Sequence, residues 1–317
     1  MIAQSTPYRD FGHGSFDEEW GCHDGSSEWW YATGYVRDAE SNLYGYQYTL
    51  NRINLQGVYT YLLITSITDF AGDRHLYTQR VASSDAGITI DGSTIRFDDV
   101  ATLTRDESGI RISAQGDGFS FGVALDYGKG AFWHCENGVL RMGSADTEAT
   151  TTYYSYTNMP TVGALVIDGR SVPVSGKTWF DRQGGHFDVL DGSTHWEWFS
   201  LRFDDDEEVM LFSFPQNSYG DGTYIPADGS SRRFNDYTIT PLTFQTVEGN
   251  KYSTSWTLHL PGVKGEDFTL KPINQAQLSG AFLEILCTIE DVQGHNVGLC
   301  YVELLPGVYN DVTSLIG

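Results

Sequence analysis

Period-two alternation along aromatic-rich segments is the feature that most restricts how this chain can fold. Residues 28–36 read EWWYATGYV, and after a polar turn the chain continues as LYGYQYTL. A second pair of segments reads HWEWFSLRF and VMLFSFPQ, with the acidic run DDDEE between them. Side chains that alternate between two faces are typical of half-buried strands, whereas sustained helical periodicity is hard to find. The pattern predicts an all-β protein built from hairpins.

The composition favours the same fold class and excludes several functions. Aromatic residues make up 14% of the 317 residues, and there are 35 glycines, which suits strands and tight turns. The 19 basic and 42 acidic residues give a formal charge of −23, so the chain lacks the basic surface that nucleic acid needs. No apolar stretch approaches the roughly 20 residues of a membrane span. We therefore expect neither nucleic acid as a partner nor a transmembrane segment.

A weak internal repeat predicts two domains. The segment DGSSEWWY, which begins at Asp24, resembles DGSTHWEWF, which begins at Asp191, almost half the chain further on. Each segment leads into an aromatic hairpin, and two tandem β-barrels or sandwiches would close their sheets and protect the strand edges. Pro and Gly interrupt the alternation near residues 158–163. We therefore expect domains at 1–160 and 161–317.

The remaining patterns predict neither a metal nor a nucleotide cofactor. The motifs GxSxG, HExxH and GxxxxGK[ST] are absent, as is GxGxxG after a strand. The eight histidines are scattered singly, and the four cysteines lack CxxC spacing, so we expect reduced, buried thiols. The first residues contain no basic segment followed by an apolar run. These features predict a cytoplasmic protein and leave its oligomeric state open.

Asp181 is the leading candidate for a catalytic group. If the segment WFD is extended, Trp179 and Asp181 share one face, and burial among aromatic rings would raise the pKa of the carboxyl. A carboxylic acid that keeps its proton near neutral pH can act as a general acid. In the alternative, Asp181 pairs with Arg182, Arg202 or a turn amide and has a structural role.

Glu28 is a second carboxyl in aromatic surroundings. It shares a strand face with Trp30, and a carboxylate buried there needs a partner. The candidates for that partner are Arg52, Gln47 and His23. A strand-end glutamate bound to an arginine and a pocket residue are both consistent with this pattern.

Five segments occur in a fixed order: HDGSSEWWYATGYV, YGYQYTLNR, TTYYSYTNMPTVGAL, SGKTWFDRQGG and WEWFSLRF. Together they resemble the AttH/carotenoid 1,2-hydratase superfamily of lipocalin-like proteins, which includes kievitone hydratases and fungal Diels–Alderases. The resemblance implies two lipocalin-like β domains, no metal or organic cofactor, and a hydrophobic small-molecule substrate of isoprenoid or polyketide type. It also implies an essential Asp181, because the Trp/Tyr-x-Asp motif of the hydratases matches Trp179-Phe180-Asp181.

The chain departs from the hydratase pattern at two places. Where carotenoid hydratases carry His-x-Trp, residues 153–156 read YYSY. Gly184 stands where the family motif commonly has Trp, which suggests more space for a ligand.

The resemblance predicts a hydratase, a lyase that adds water to a C=C bond of a prenyl-type natural product. Asp181 would protonate the alkene, aromatic π faces would stabilise the carbocation, and a second polar side chain would orient the water. The expected catalytic residues are Asp181, Tyr154 and Glu28, and the expected substrate contacts are Trp30, Tyr48, Trp179, His195 and Trp198.

Two alternatives use the same apolar pocket. A cyclase such as a Diels–Alderase needs a preorganised substrate conformation rather than an acid. A lipocalin-like carrier would bind a hydrophobic molecule and release it unchanged.

Overall fold

Two curled antiparallel sheets make up almost all of the regular structure. The computed structural model describes residues 6–9, 11–83, 87–187, 195–278 and 282–310. Each sheet forms a half-barrel, which confirms the prediction of an all-β chain with two lipocalin-like domains. None of the helices in these ranges is long and apolar enough to cross a membrane.

The first sheet has thirteen strands among the described residues and follows a short helix. Its elements are α1 (Phe16–Trp20), β1 (Ser27–Arg37), β2 (Leu43–Leu55), β3 (Val58–Asp69), β4 (Arg74–Ser83), β5 (Ile88–Asp91), β6 (Thr94–Phe97), β7 (Ala101–Asp106), β8 (Gly109–Gly116), β9 (Phe119–Leu125), β10 (Ala131–Trp133), β11 (Val139–Arg141), β12 (Thr150–Ile167) and β13 (Arg170–His186). The order across the sheet is β4-β3-β2-β1-β13-β12-β9-β8-β7-β6-β5, and β10 and β11 pair with β12.

The second sheet has nine strands in the described part of the chain. They are β14 (Glu197–Phe203), β15 (Glu208–Phe214), β16 (Tyr219–Ile225), β17 (Arg232–Arg233), β18 (Thr238–Val247), β19 (Asn250–His259), β20 (Asp267–Pro272), β21 (Leu283–Glu290) and β22 (Asn296–Leu304), with a 3₁₀ turn at Pro215–Asn217. Their order is β17-β16-β15-β14-β22-β21-β20-β19-β18. The aromatic hairpins identified in the sequence are β1–β2 and β14–β15.

The described residues divide into two compact units. The first lies within Met1–Leu140 and Glu148–Val189, and the second lies within Arg141–Thr147 and Leu190–Gly317. This division does not place a boundary at residue 160, where the sequence analysis expects one. Pro160 lies inside β12 and is in register with Lys177 of β13, so the chain continues as a strand through this position. Gly163 is also inside β12, where a Cβ would collide with the carbonyl oxygen of Gly122 on β9. Close strand approach, rather than a chain break, requires this glycine.

Strands β1, β13 and β12 lie side by side and present two different faces. Because successive side chains of a strand point to opposite faces, residues in register across the sheet share a face. The core face carries Trp30 and Phe180, which belong to the hydrophobic core of the first unit. The other face, which we call the Asp181 face, carries Tyr31, Asp181 and Ser155 in register.

Candidate active site

The carboxyl of Asp181 is buried and accepts hydrogen bonds from three neutral donors. The residue is 6% exposed. Trp179 Nε1 donates to Oδ1 at 2.5 Å, and the Tyr153 hydroxyl donates to Oδ2 at 3.0 Å. Ser155 Oγ also donates to Oδ1. These donors stabilise a negative charge on the carboxyl, so they would hold the anion that remains after Asp181 has given up a proton.

Strand periodicity and the β12–β13 register together assemble this group. Trp179 precedes Asp181 by two residues on β13, so both side chains lie on one face, as the sequence predicts. Ser155 is directly opposite Asp181 on β12. Tyr153 is two residues from Ser155 and therefore lies on the same face.

His134 extends the network on the far side of Ser155. It follows β10, which pairs with β12, and is 0% exposed. Its Nε2 lies 2.6 Å from Ser155 Oγ. The imidazole stacks on the Trp179 indole, with ring centroids 6.2 Å apart and planes 7° from parallel. Burial lowers the pKa of His134 to about 3, so the ring is neutral at physiological pH.

A tight turn fixes the backbone around His134. The His134 amide donates to the Tyr153 carbonyl at 3.1 Å, and the Gly138 amide donates to the His134 carbonyl at 2.9 Å. Gly138 has a φ of 77°, a conformation that favours glycine, and a Cβ there would lie 2.7 Å from the Trp133 ring. Trp133 in turn stacks on His13, with ring centroids 3.8 Å apart. The position of His134 is therefore set by contacts on both sides of the turn.

Glu28 lies on the core face, within a cluster of charged groups. Its side chain is 1% exposed and pairs with Arg52 at 2.7 Å and with Arg182. The amide of His23 donates a hydrogen bond of 2.9 Å to it. Burial raises the pKa of Glu28, but Arg182, His23 and Arg52 outweigh burial and lower the pKa to about 2. Glu28 is thus a carboxylate balanced by two guanidinium groups, the arginine-bound arrangement that the sequence left open.

The expectation that Gly184 opens space for a ligand is wrong. Gly184 is in register with Glu28, and a Cβ there would collide with the hydroxyl of Tyr8. Tyr8 itself stacks on His23, with ring centroids 4.1 Å apart. The missing side chain of Gly184 makes room for Tyr8.

The structure brings together only part of the predicted site. Asp181 and Trp179 form one hydrogen-bonded group. The hydroxyl of Tyr154 donates to the Phe16 carbonyl at 3.4 Å, away from the Asp181 face. On the core face lie Glu28, Trp30, Tyr48 and Tyr154, and in the second unit lie His195 and Trp198.

We call the group formed by Asp181, Trp179, Tyr153, Ser155 and His134 the Asp181 network. The last three of these residues are missing from the sequence-based site. Tyr153 and Ser155 belong to the YYSY segment that departs from the hydratase pattern, but the sequence does not show that these two residues lie on the Asp181 face. His134 is an isolated histidine in the sequence and carries no signal of its own. Only the pairing of β10 with β12 places it beside Ser155.

The second unit contains a buried carboxyl of a different kind. Glu197 is 1% exposed and accepts hydrogen bonds from Ser253, from Tyr309 at 3.0 Å and from Trp256 at 3.3 Å. Burial raises the pKa of Glu197, and these three hydrogen bonds offset that effect only in part. The side chain is surrounded by neutral donors and retains its proton more strongly than an exposed glutamate.

Comparisons with known proteins agree with the resemblance seen in the sequence. The NE1406 protein of Nitrosomonas europaea, an AttH candidate, is 21% identical, and the match covers 95% of this chain and 99% of that one with a TM-score of 0.82. Kievitone hydratase from Nectria haematococca is 19% identical, with 89% of both chains covered and a TM-score of 0.71. A search of curated proteins gives no match. The AttH-like family model matches residues 12–307, and the chain therefore belongs to the AttH-like family.

Proposed function

We propose that this protein is a hydratase that uses no cofactor and adds water to a C=C bond of a hydrophobic, prenyl-type natural product. The observation that carries the proposal is the buried Asp181 carboxyl with its bonds from Trp179, Tyr153 and Ser155. The similarity to a protein named as a hydratase supports this class of reaction. The four cysteines are buried as thiols, which supports a cytoplasmic location.

Asp181 acts as the general acid in this proposal. Protonation of a trisubstituted alkene produces a tertiary carbocation, so the reaction needs an acid held against the substrate in a site with little water. The indole of Trp179 lies beside the carboxyl, and a cation over an aromatic face is stabilised by about 0.5–2 kcal/mol. The donors to Asp181 stabilise its carboxylate at the moment when the positive charge develops on the substrate.

We assign to Tyr153, rather than to Tyr154, the place of the catalytic tyrosine. Tyr153 donates to Asp181 Oδ2, whereas Tyr154 lies on the core face. Glu28 is already bound to Arg52 and Arg182, so we assign to it a structural role. Trp30 and Tyr48 pack in the same core.

The test is turnover of kievitone and of dimethylallyl-substituted phenols, with formation of the water adduct measured by mass spectrometry. The wild type is expected to form a tertiary alcohol from at least one of these compounds. Asp181→Asn is expected to lower the rate about 100- to 10,000-fold, the range for loss of a general acid, with an unchanged melting temperature within a few degrees. Asp168→Asn is the matched control, because Asp168 lies on the exposed turn between β12 and β13.

A wild-type protein that forms no water adduct from any of these alkenes contradicts the proposal. So does an Asp181→Asn variant that turns over at the wild-type rate. A cyclised product whose formation does not depend on Asp181 would support the Diels–Alderase alternative, and recovery of bound alkene unchanged would support the carrier.

A further inference from the structure

One polar atom of the Asp181 network is buried and has no hydrogen-bond partner among the residues that the structure describes. Ser155 has a single hydroxyl proton, which it donates to Asp181 Oδ1. The 2.6 Å contact between His134 Nε2 and Ser155 Oγ therefore requires that Nε2 carries the proton. Nδ1 is then the acceptor nitrogen of a neutral ring, and within the described ranges it has no hydrogen-bond partner.

A fully buried acceptor of this kind is unusual in a folded protein, because buried polar atoms are almost always paired. His134 is 0% exposed, so bulk water does not provide the partner. The stacking on Trp179 and the turn that holds the backbone fix the ring orientation. The imidazole therefore keeps Nε2 directed at Ser155, and Nδ1 has no partner among the described residues.

We propose that His134 Nδ1 accepts a proton from the water that attacks the substrate, and that His134 and Ser155 pass a proton back to Asp181. The inference rests on the proposed hydratase function and extends it, because it names the base and the route by which the acid is regenerated. His134 is a catalytic residue in this scheme, since Nδ1 contacts the reacting water, and Ser155 connects the base to the acid.

The steps balance without any added reagent. Asp181 loses its proton as the alkene π pair forms the new C–H bond, and the carbocation gains a C–O bond from a water lone pair. The resulting oxonium loses a proton to His134 Nδ1, the Nε2 proton moves to Ser155 Oγ, and the Ser155 proton moves to Asp181 Oδ1. The sum is alkene plus water to alcohol. After the product leaves, the water that enters with the next substrate takes the Nδ1 proton and returns one to Asp181 Oδ2, while the Oδ1 proton moves back through Ser155 to Nε2. This restores the Nε2–H tautomer and a protonated Asp181.

The surroundings of His134 favour passage of the proton rather than its retention. Burial lowers the pKa of His134 to about 3, so the imidazolium is unstable at this position. The carboxylate formed at Asp181 lies on the other side of Ser155 and attracts the proton. The base is therefore neutral before the water attacks and neutral again after the transfer.

Reactions run in deuterium oxide distinguish the role of His134 from that of Asp181. A dimethylallyl phenol is incubated with the wild type, His134→Gln, Ser155→Ala and Asp181→Asn, and both the water adduct and deuterium in the recovered alkene are measured. Protonation by Asp181 and its reversal introduce deuterium into the alkene even when no water is captured. The control is His75→Gln, because His75 is a half-buried histidine of the same sheet, bonded to the Thr68 hydroxyl at 2.8 Å outside the network.

We expect His134→Gln to lower adduct formation about 100-fold, typical of the loss of a general base, while the recovered alkene still gains deuterium. Ser155→Ala is expected to show the same pattern, which keeps the test decisive if His134→Gln does not fold. Asp181→Asn is expected to abolish both adduct and deuterium uptake. His75→Gln is expected to behave like the wild type.

Adduct formation at the wild-type rate in folded His134→Gln and Ser155→Ala would overturn the relay and leave the hydratase proposal intact. Joint loss of adduct and of deuterium uptake in these variants would also overturn it, because the defect would then lie in the acid step. If the wild type shows neither adduct nor deuterium uptake, the proposed function fails and the relay fails with it.

Discussion

Glu28 and Asp181 are two buried carboxyls on opposite faces of the first sheet, and their named partners differ in charge. Glu28 is bound to two guanidinium groups and its pKa is lowered to about 2. The named donors to Asp181 are an indole and two hydroxyls. Guanidinium partners strongly favour the ionised form of a carboxyl, whereas neutral donors add hydrogen bonds without an opposite charge. The comparison shows that the partners, and not burial beside tryptophan, separate a structural carboxylate from a candidate acid.

Glu197 in the second unit shows how burial changes the pKa of a carboxyl whose hydrogen-bond donors are neutral. Its partners are Ser253, Tyr309 and Trp256, and its pKa is raised by burial. Glu197 is thus closer in chemistry to the Asp181 network than to Glu28. Its three donors hold it inside the second unit, and we treat it as a structural acid.

The largest expected effect is on stability, at Glu28. Glu28→Gln leaves Arg52 and Arg182 buried without their carboxylate, so we expect a loss of about 3–5 kcal/mol in the free energy of unfolding. Urea denaturation at neutral pH measures it. Asp168→Asn, which removes an exposed pair with Arg74, is expected to cost less than about 1 kcal/mol. Equal losses of unfolding free energy in the two variants would show that the buried ion pairs of Glu28 do not stabilise the fold more than an exposed pair does.

The Glu28 cluster also makes the protein sensitive to acid. The pKa of Glu28 is lowered in the folded state, so its contribution to stability is present above the unfolded value of 4.5 and is lost as the pH falls towards 2. We expect the unfolding free energy of the wild type to fall across this interval more steeply than that of Glu28→Gln. Parallel pH profiles for the two proteins would contradict the assignment.

Substitutions of two adjacent tyrosines are expected to have smaller effects, and to differ in how far they lower turnover. Tyr153→Phe removes a hydrogen bond to the Asp181 carboxylate and is expected to lower turnover about 10- to 100-fold, the range for a bond to a charged group. Tyr154→Phe changes the core face and is expected to leave turnover within about twofold of the wild type, with any loss appearing in stability. Steady-state kinetics with a dimethylallyl phenol distinguish the two faces. The reverse order of effects would place the chemistry on the core face.

The smallest expected effect is at Glu197. Glu197→Gln replaces a carboxyl of raised pKa with a neutral amide of the same size, and we expect a change of less than about 1 kcal/mol at pH 5. A raised folded-state pKa makes the wild type lose stability as the pH increases above the unfolded value. The variant should therefore gain stability relative to the wild type between pH 5 and pH 8. A relative loss over this interval would show that Glu197 is ionised in the folded protein.

Short-range patterns in the sequence predict the strands and the first half of the site. The two-residue period places Trp179 and Asp181 on one face without any knowledge of the fold. The boundary at residue 160 follows from reading Pro and Gly as breaks, but β12 passes through both of them and turns only at Asp168 and Gly169, where φ is positive.

The rest of the site depends on contacts between distant segments. Ser155 reaches Asp181 through the register of β12 and β13, and a shift of one residue would have placed Tyr154 there instead. His134 depends on β10, a strand of three residues that only its pairing with β12 identifies. Glu28 meets Arg182 because β1 and β13 are neighbours, although they lie far apart in the chain.

The most direct test of the central claim is the turnover per folded molecule of Asp181→Asn and Glu28→Gln, measured side by side. The folded fraction is determined by circular dichroism in the assay buffer, and water addition to a dimethylallyl phenol is followed by mass spectrometry. We predict a folded but inactive Asp181→Asn, and a destabilised Glu28→Gln whose folded fraction adds water at a rate close to that of the wild type. An active Asp181→Asn together with a folded, inactive Glu28→Gln would contradict the account and move the acid to the core face.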